Sequence, residues 1–130
     1  MVSKLRTMQV ADRVKQELSI LLIEEISDPR LDGIFITDVS VDRELAYANV
    51  YISAIEGLGR SKEVLAGLKH AQGFIRRELS HLIHLRTFPQ LRFYWDVTPE
   101  RADHIEQLLA SIHGEAGLKK PGMEQGDNAN

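Results

Sequence analysis

KHAQGFIRRELSHLIHLR, running from Lys69 to Arg86, combines the apolar spacing of a helix with a run of cations. Phe74, Ile75, Leu79, Leu82 and Ile83 recur at three- and four-residue intervals, which places them on one helical face. Arg76, Arg77, Ser80, His81 and His84 then fall mostly outward. Gly73 interrupts the pattern. A glycine in a helix interior costs about 1 kcal/mol relative to alanine. It is therefore expected to mark a kink or close-approach point between two helices. A second helix opening at Gly73 would direct its free N–H groups and the positive end of its dipole toward a phosphate.

The flanking sequence supplies the other elements. Ser61 is the expected N-cap of the preceding helix, with Glu63 in its first turn and Val64, Leu65 and Leu68 on its buried face. Pro89 is expected to end the helical region, after which Leu91, Phe93 and Trp95 alternate with Arg92, Tyr94 and Asp96 as a strand. Two further strands are read at 34–42 and 46–55, where Phe35, Thr37, Val39 and Val41, then Ala48, Val50, Ile52 and Ala54, recur with a period of two. Only Arg43, Glu44 and Leu45 separate them, so an antiparallel hairpin connects them economically.

A first helix is expected from about Thr7 to Ser27, with Val10, Val14, Leu18, Leu21, Leu22 and Ile26 on one face. Asp28 precedes a proline and should end it. Thr98-Pro99-Glu100 is a helix start, and Ile105, Leu108, Leu109 and Ile112 form the stripe of a C-terminal helix. From Gly114 the composition becomes Gly-, Pro- and acid-rich, as in a disordered tail. The expected division is a domain at 1–113 and a tail at 114–130. The fold class is α+β: a three-stranded sheet with helices on one face, plus the C-terminal helix.

Composition limits the function. The chain has 130 residues, 43% of them hydrophobic and 27% charged, the profile of one globular domain. It has no cysteine, which excludes disulfides and thiolate zinc sites and suits a reducing cytoplasm. MVSKLRTMQVADR lacks the apolar run of a secretory signal, and Ile20 to Ile23 is far too short to span a bilayer. No membrane partner is expected.

Charge is unevenly distributed. Between Arg60 and Trp95, seven cations stand against Glu63 and Glu78, a balance of +5 that leaves −8 on the rest of a chain with net charge −3. Such a field orients a protein on a polyanion. No G-x-x-x-x-G-K-S/T, G-x-G-x-x-G or G-x-S-x-G motif is present, and no catalytic residue is assigned. His81 and His84 could share a helical face, but H-x-x-H without a third ligand is a weak metal signal. Asp96 and Asp103 supply none convincingly. No metal or cofactor is expected. Tyr47, Asn49, Tyr51, Arg92 and Tyr94 share the outer sheet face. Such residues can stack on bases, although tyrosines are also ordinary strand formers.

Four segments in order carry a family resemblance: SDPRL (27–31), ELAYANVYIS (44–53), AQGFIRREL (71–79) and LRTFPQLRFYWD (85–96). Together they resemble bacterial ribosome-binding factor A, over most of the chain up to about His113. The resemblance implies a type II KH-like domain that binds the small (30S) ribosomal subunit. It also implies a part in late maturation of the small-subunit ribosomal RNA and in cold adaptation. In that family an Ala-x-Gly kink replaces the KH G-x-x-G loop, and Ala71-Gln72-Gly73 matches it. The ordinary KH backbone clamp is therefore not implied.

The expected RNA-binding set is Lys69, His70, Ala71, Gly73, Arg76, Arg77, His81, His84, Arg86 and Arg92. The expected partner is the small ribosomal subunit and its RNA, met by a chain that is monomeric when free. The rival reading is a protein–protein adaptor without direct RNA contact.

Overall fold

The computed structural model describes residues 2–99, 106 and 108–112. Helix α1, Lys4–Glu24, starts where Ser3 Oγ accepts a hydrogen bond from the Arg6 N–H at 3.1 Å. This satisfies one of the donors that a helix N-terminus leaves free. Val10, Val14, Leu18 and Leu21 are buried along one stripe. A 3-10 turn follows at Pro29–Leu31, where Asp28 accepts from the Arg30 backbone at 2.9 Å and from its guanidinium at 2.8 Å. The Arg30 side chain is the main reason the Asp28 carboxyl lies below its ordinary pKa.

Strands β1 (Ile34–Val41) and β2 (Tyr47–Ala54) pair antiparallel. Asp42 Oδ1 closes their hairpin by accepting from the Ala46 and Tyr47 N–H groups, each at 2.8 Å. Those backbone donors, Tyr47 foremost, hold the Asp42 carboxyl below its usual value. Strand β3, Gln90–Trp95, lies parallel to β2, giving the order β1-β2-β3 with β2 central. Parallel neighbours need a crossover. Helix α2, Ser61–Leu82, provides it.

The expected alternation in β1 holds only in part. A bulge falls between Ile36 and Asp38, so Ile36 and Val39, three apart, are the buried positions and Phe35 is exposed. The extra residue, Thr37, turns its hydroxyl to the Tyr51 carbonyl (3.2 Å) and to Asp96 Oδ2 (2.5 Å). One inserted residue reverses the side-chain phase that a strict period of two requires. In β2 the expected phase is observed: Ala48, Val50, Ile52 and Ala54 face inward. Both helices pack on that one face, and Val14, Leu18, Leu68, Ile75 and Leu79 meet Val50, Ile52 and Leu91 in a single core.

The helical region differs from expectation in three ways. Arg60, within a 3-10 turn at Leu58–Arg60, is the N-cap of α2, and Ser61 is its first residue. No second helix opens at Gly73, because α2 is one helix of 22 residues. Leu68, Ile75 and Leu79 stay in register across Gly73, and a break there would turn one half's apolar face out of the core. The helix also ends at Leu82, well before Pro89, with the Ile83 N–H still bonded to the Leu79 carbonyl at 2.8 Å. Arg13 of α1 donates to the Leu82 carbonyl at 2.9 Å, meeting one of the acceptors a helix C-terminus exposes.

The chain divides into two compact units, 1–97 and 98–130. Thr98, Pro99, Glu106 and 108–112 are helical, and Leu108, Leu109 and Ile112 are exposed. Ile105, the boundary at 113 and the tail from 114 lie outside the described residues. Among the described residues no helix is long and apolar enough to cross a membrane.

Candidate nucleic-acid interface

The outward face of α2 is set by the burial of the opposite one. Val64, Leu68, Ile75 and Leu79 are buried, so at about 100° per residue Lys62, Ala66, Lys69, His70, Gly73, Arg77 and His81 share an arc of roughly 120° on the other side. All of these are exposed. Lys62, Lys69 and Arg77 supply the charge, and the small residues Ala66 and Gly73 leave the backbone approachable between them. Lys62 is not in the expected set. Its spacing of seven from Lys69 is the signal that could have found it.

Gly73 sits near the middle of this arc, and a Cβ built there meets nothing within 4 Å. The fold therefore gives no steric reason for a glycine. Gly67, on the same helix, is the opposite case. Its Cβ would lie 2.9 Å from Leu31 Cδ2 and 3.3 Å from Arg30 Cβ. Substitution by alanine should separate the two. Gly73→Ala should stabilise the protein by about 1 kcal/mol through helix propensity. Gly67→Ala should destabilise it by about 1 kcal/mol, because overpacking of about 1–3 kcal/mol outweighs the same propensity gain. Urea midpoints of the two variants should lie on either side of the parent.

The remaining expected residues are divided among different tasks. Arg76 donates from Nε to the Pro89 carbonyl (3.1 Å) and from Nη2 to the Phe88 carbonyl (2.5 Å), tying α2 to the segment that enters β3. Gln72, between Ala71 and Gly73, adds a bond from Nε2 to the Leu91 carbonyl at 2.6 Å. Ala71 is half-buried against the core. Arg60 is also engaged within the fold. It pairs with Glu56 (3.0 Å) and Glu63 (3.2 Å) and donates to the Arg30 and Asp32 carbonyls. The Glu56 carboxylate is the chief reason its pKa is raised.

His84 and Arg86 are exposed on the segment after α2, so His81 and His84 do not share a helical face. Among the described residues no three of His, Cys, Asp and Glu are placed to hold a metal ion. Arg92 lies on the outer sheet face, away from the helices. Its guanidinium carbon is 3.4 Å from the centroid of the Tyr47 ring, and Tyr51 stacks on Tyr94 at 5.5 Å. These cross-strand pairs stabilise the sheet itself. The basic segment is thus two surfaces and a set of internal ties, with Lys62, Lys69, His70, Gly73, Arg77 and His81 forming the one continuous stripe.

A family model described as ribosome-binding factor A matches residues 6–109, from the first turn of α1 to beyond the end of β3. The chain belongs to the ribosome-binding factor A family. A ribosome-binding factor A from Alcanivorax borkumensis is 40% identical over 124 residues, covering 95% of this chain and 90% of the relative. Among solved structures, the crystal structure of ribosome-binding factor A from Thermus thermophilus matches with a TM-score of 0.62 at 20% identity. That match covers 68% of this chain and 93% of the other. A homology model of the Thermus thermophilus factor, fitted into a cryo-electron microscopy map of a 30S complex, matches with a TM-score of 0.51 at 24% identity. It covers 66% of this chain and 96% of the other. These structural matches bear on the fold, which is that of the ribosome-binding factor A structures.

Proposed function

We propose that this chain binds the small (30S) ribosomal subunit as a stoichiometric assembly factor and promotes late maturation and processing of its ribosomal RNA, including growth in the cold. It makes and breaks no bond, needs no cofactor, works in the cytoplasm and is a monomer when free. The observation that carries the reading is the stripe on α2, where cations surround a glycine that the fold itself does not require. Family membership, and the 30S complex into which the Thermus thermophilus factor was fitted, support the small subunit as the partner.

Lys62, Lys69 and Arg77 meet phosphates from the helix, and Arg86 meets one from the segment beyond it. Ala66 and Gly73 admit the RNA backbone, while His70, His81 and His84 donate hydrogen bonds. Arg76 takes part indirectly, by holding the segment that positions Arg86. Arg92 lies outside this surface. The mode of recognition is charge and shape on structured RNA, because α2 continues through Gly73 and its interior N–H groups are already bonded within the helix.

Four phosphate contacts give a slope of log affinity against log salt of about −3. Raising salt from about 50 to 200 mM should then weaken subunit binding roughly sixtyfold. Sedimentation with purified subunits across that range measures it. Binding indifferent to salt would remove the electrostatic surface from the account, leaving the adaptor reading in its place.

A further inference from the structure

A second surface lies where the end of α1, the Pro29–Leu31 turn and the start of β1 meet. A groove of about 330 Å³ is lined there by Leu22, Ile23, Ile26, Ile34 and Phe35, among others. It adjoins a second hollow, of about 400 Å³, which shares Ile23, Ile26 and Asp32 and adds Glu24, Glu25 and Asp28. Ile23 is 83% exposed, and its neighbour one turn back, Ile20, is 50% exposed. Phe35 faces solvent because the bulge in β1 shifts the strand's phase. Apolar side chains gathered in this way mark an interaction site.

The rim selects the occupant. Among the described residues, the carboxylates of Glu24, Glu25 and Asp32 make no ion pair or hydrogen bond. Glu24 and Glu25 also stand at the carbonyl end of α1, whose last turn carries no basic residue. Acids there oppose the helix dipole, so the placement weakens the helix. Their negative field excludes a nucleic-acid backbone and attracts a cationic chain. An assembly built on a polyanion offers such chains, because its proteins neutralise phosphate with Lys and Arg. The apolar floor asks further for an anchoring side chain.

We infer that the groove between the end of α1 and the start of β1 docks a Lys/Arg-rich polypeptide segment of a small-subunit protein, which seats one apolar side chain against Ile23 and Phe35. This rests on the small-subunit reading above and adds a protein contact to the RNA contact.

A photo-crosslinking benzophenone amino acid placed at position 23 of the full chain, mixed with purified 30S subunits, tests the inference. The same group at position 69 serves as the control. The expected result is that position 69 crosslinks RNA while position 23 crosslinks a Lys/Arg-rich protein peptide identified by mass spectrometry. Ile23→Ser should weaken subunit binding about tenfold, the loss typical of an anchor residue. Glu24→Lys/Glu25→Lys should weaken it too while raising the melting temperature slightly, because cations suit a helix C-terminus, and Ile23→Ser should keep the parent's melting temperature. If position 69 labels the subunit while position 23 labels only RNA, a second copy of the chain, or nothing, the groove inference is wrong. If neither position labels the subunit, the small-subunit reading fails first.

Discussion

Lys69→Glu/Arg77→Glu should abolish most small-subunit binding while leaving the protein folded. At about 0.1 M salt each phosphate-engaging charge is worth roughly sixfold in affinity, and a reversal counts about twice because it adds repulsion. Two reversals therefore predict a loss on the order of a thousandfold. Among the described residues neither side chain makes a salt bridge, and the Arg77 side chain contacts only the Phe74 ring, 5.8 Å from its centroid. Melting temperature should therefore stay within a few degrees of the parent, since exposed substitutions seldom exceed about 0.5 kcal/mol each. Lys4→Glu/Arg6→Glu makes the same change in net charge at the first turn of α1, where acids favour the dipole. That control should retain most of the binding. Equal losses in both variants would show that net charge matters and the stripe does not.

Arg76→Met should produce the opposite pattern. The substitution keeps helix propensity and bulk but removes two charge-assisted hydrogen bonds to the Phe88 and Pro89 carbonyls. Phe88 and Pro89 are buried, so water replaces the guanidinium poorly. Such bonds contribute about 1.5–3 kcal/mol each when the partner is charged. We expect a net loss of about 3 kcal/mol and a fall in melting temperature of roughly 10–20 °C for a domain of this size. Arg76→Lys should recover only part of this, because one ammonium cannot reproduce a planar fork. At low temperature, where the variant stays folded, subunit affinity should change little. Reversing Arg76 together with Arg77 would thus mix a folding defect with a binding defect.

The contrast between these adjacent arginines shows what sequence alone can decide. Their spacing places Arg77 on the outward face and Arg76 at its edge, and both look like solvated cations. Only the approach of the 88–89 segment makes Arg76 structural, and that contact joins residues far apart in the chain. Arg60 follows the same logic, since Asp32, Arg30, Glu56 and Glu63 converge on it from three elements. Long side chains report their partners poorly because their reach exceeds the local periodicity that pattern reading uses.

Local periodicity is informative wherever the chain keeps it. The inward set of β2, the stripe of α1 from Val10 to Leu21 and the short hairpin at 43–45 are as their spacing indicates, although α1 ends at Glu24 and leaves Ile26 outside the helix. It fails at Thr37, because a bulge inserts a residue without changing composition. It also misleads at Gly73, where propensity argues for a break. Tertiary burial of Leu68, Ile75 and Leu79 on one line overrides that cost of about 1 kcal/mol. The fold does not explain the glycine, and the proposed RNA contact gives it a role.

Gly73→Leu tests that claim most directly, because it alters no charge and its Cβ meets nothing beyond its own stretch of helix within 4 Å. The account predicts a higher melting temperature together with subunit binding weakened at least about tenfold, as a bulky side chain holds the RNA backbone off the stripe. A stabilised variant that binds 30S subunits as tightly as the parent would contradict it.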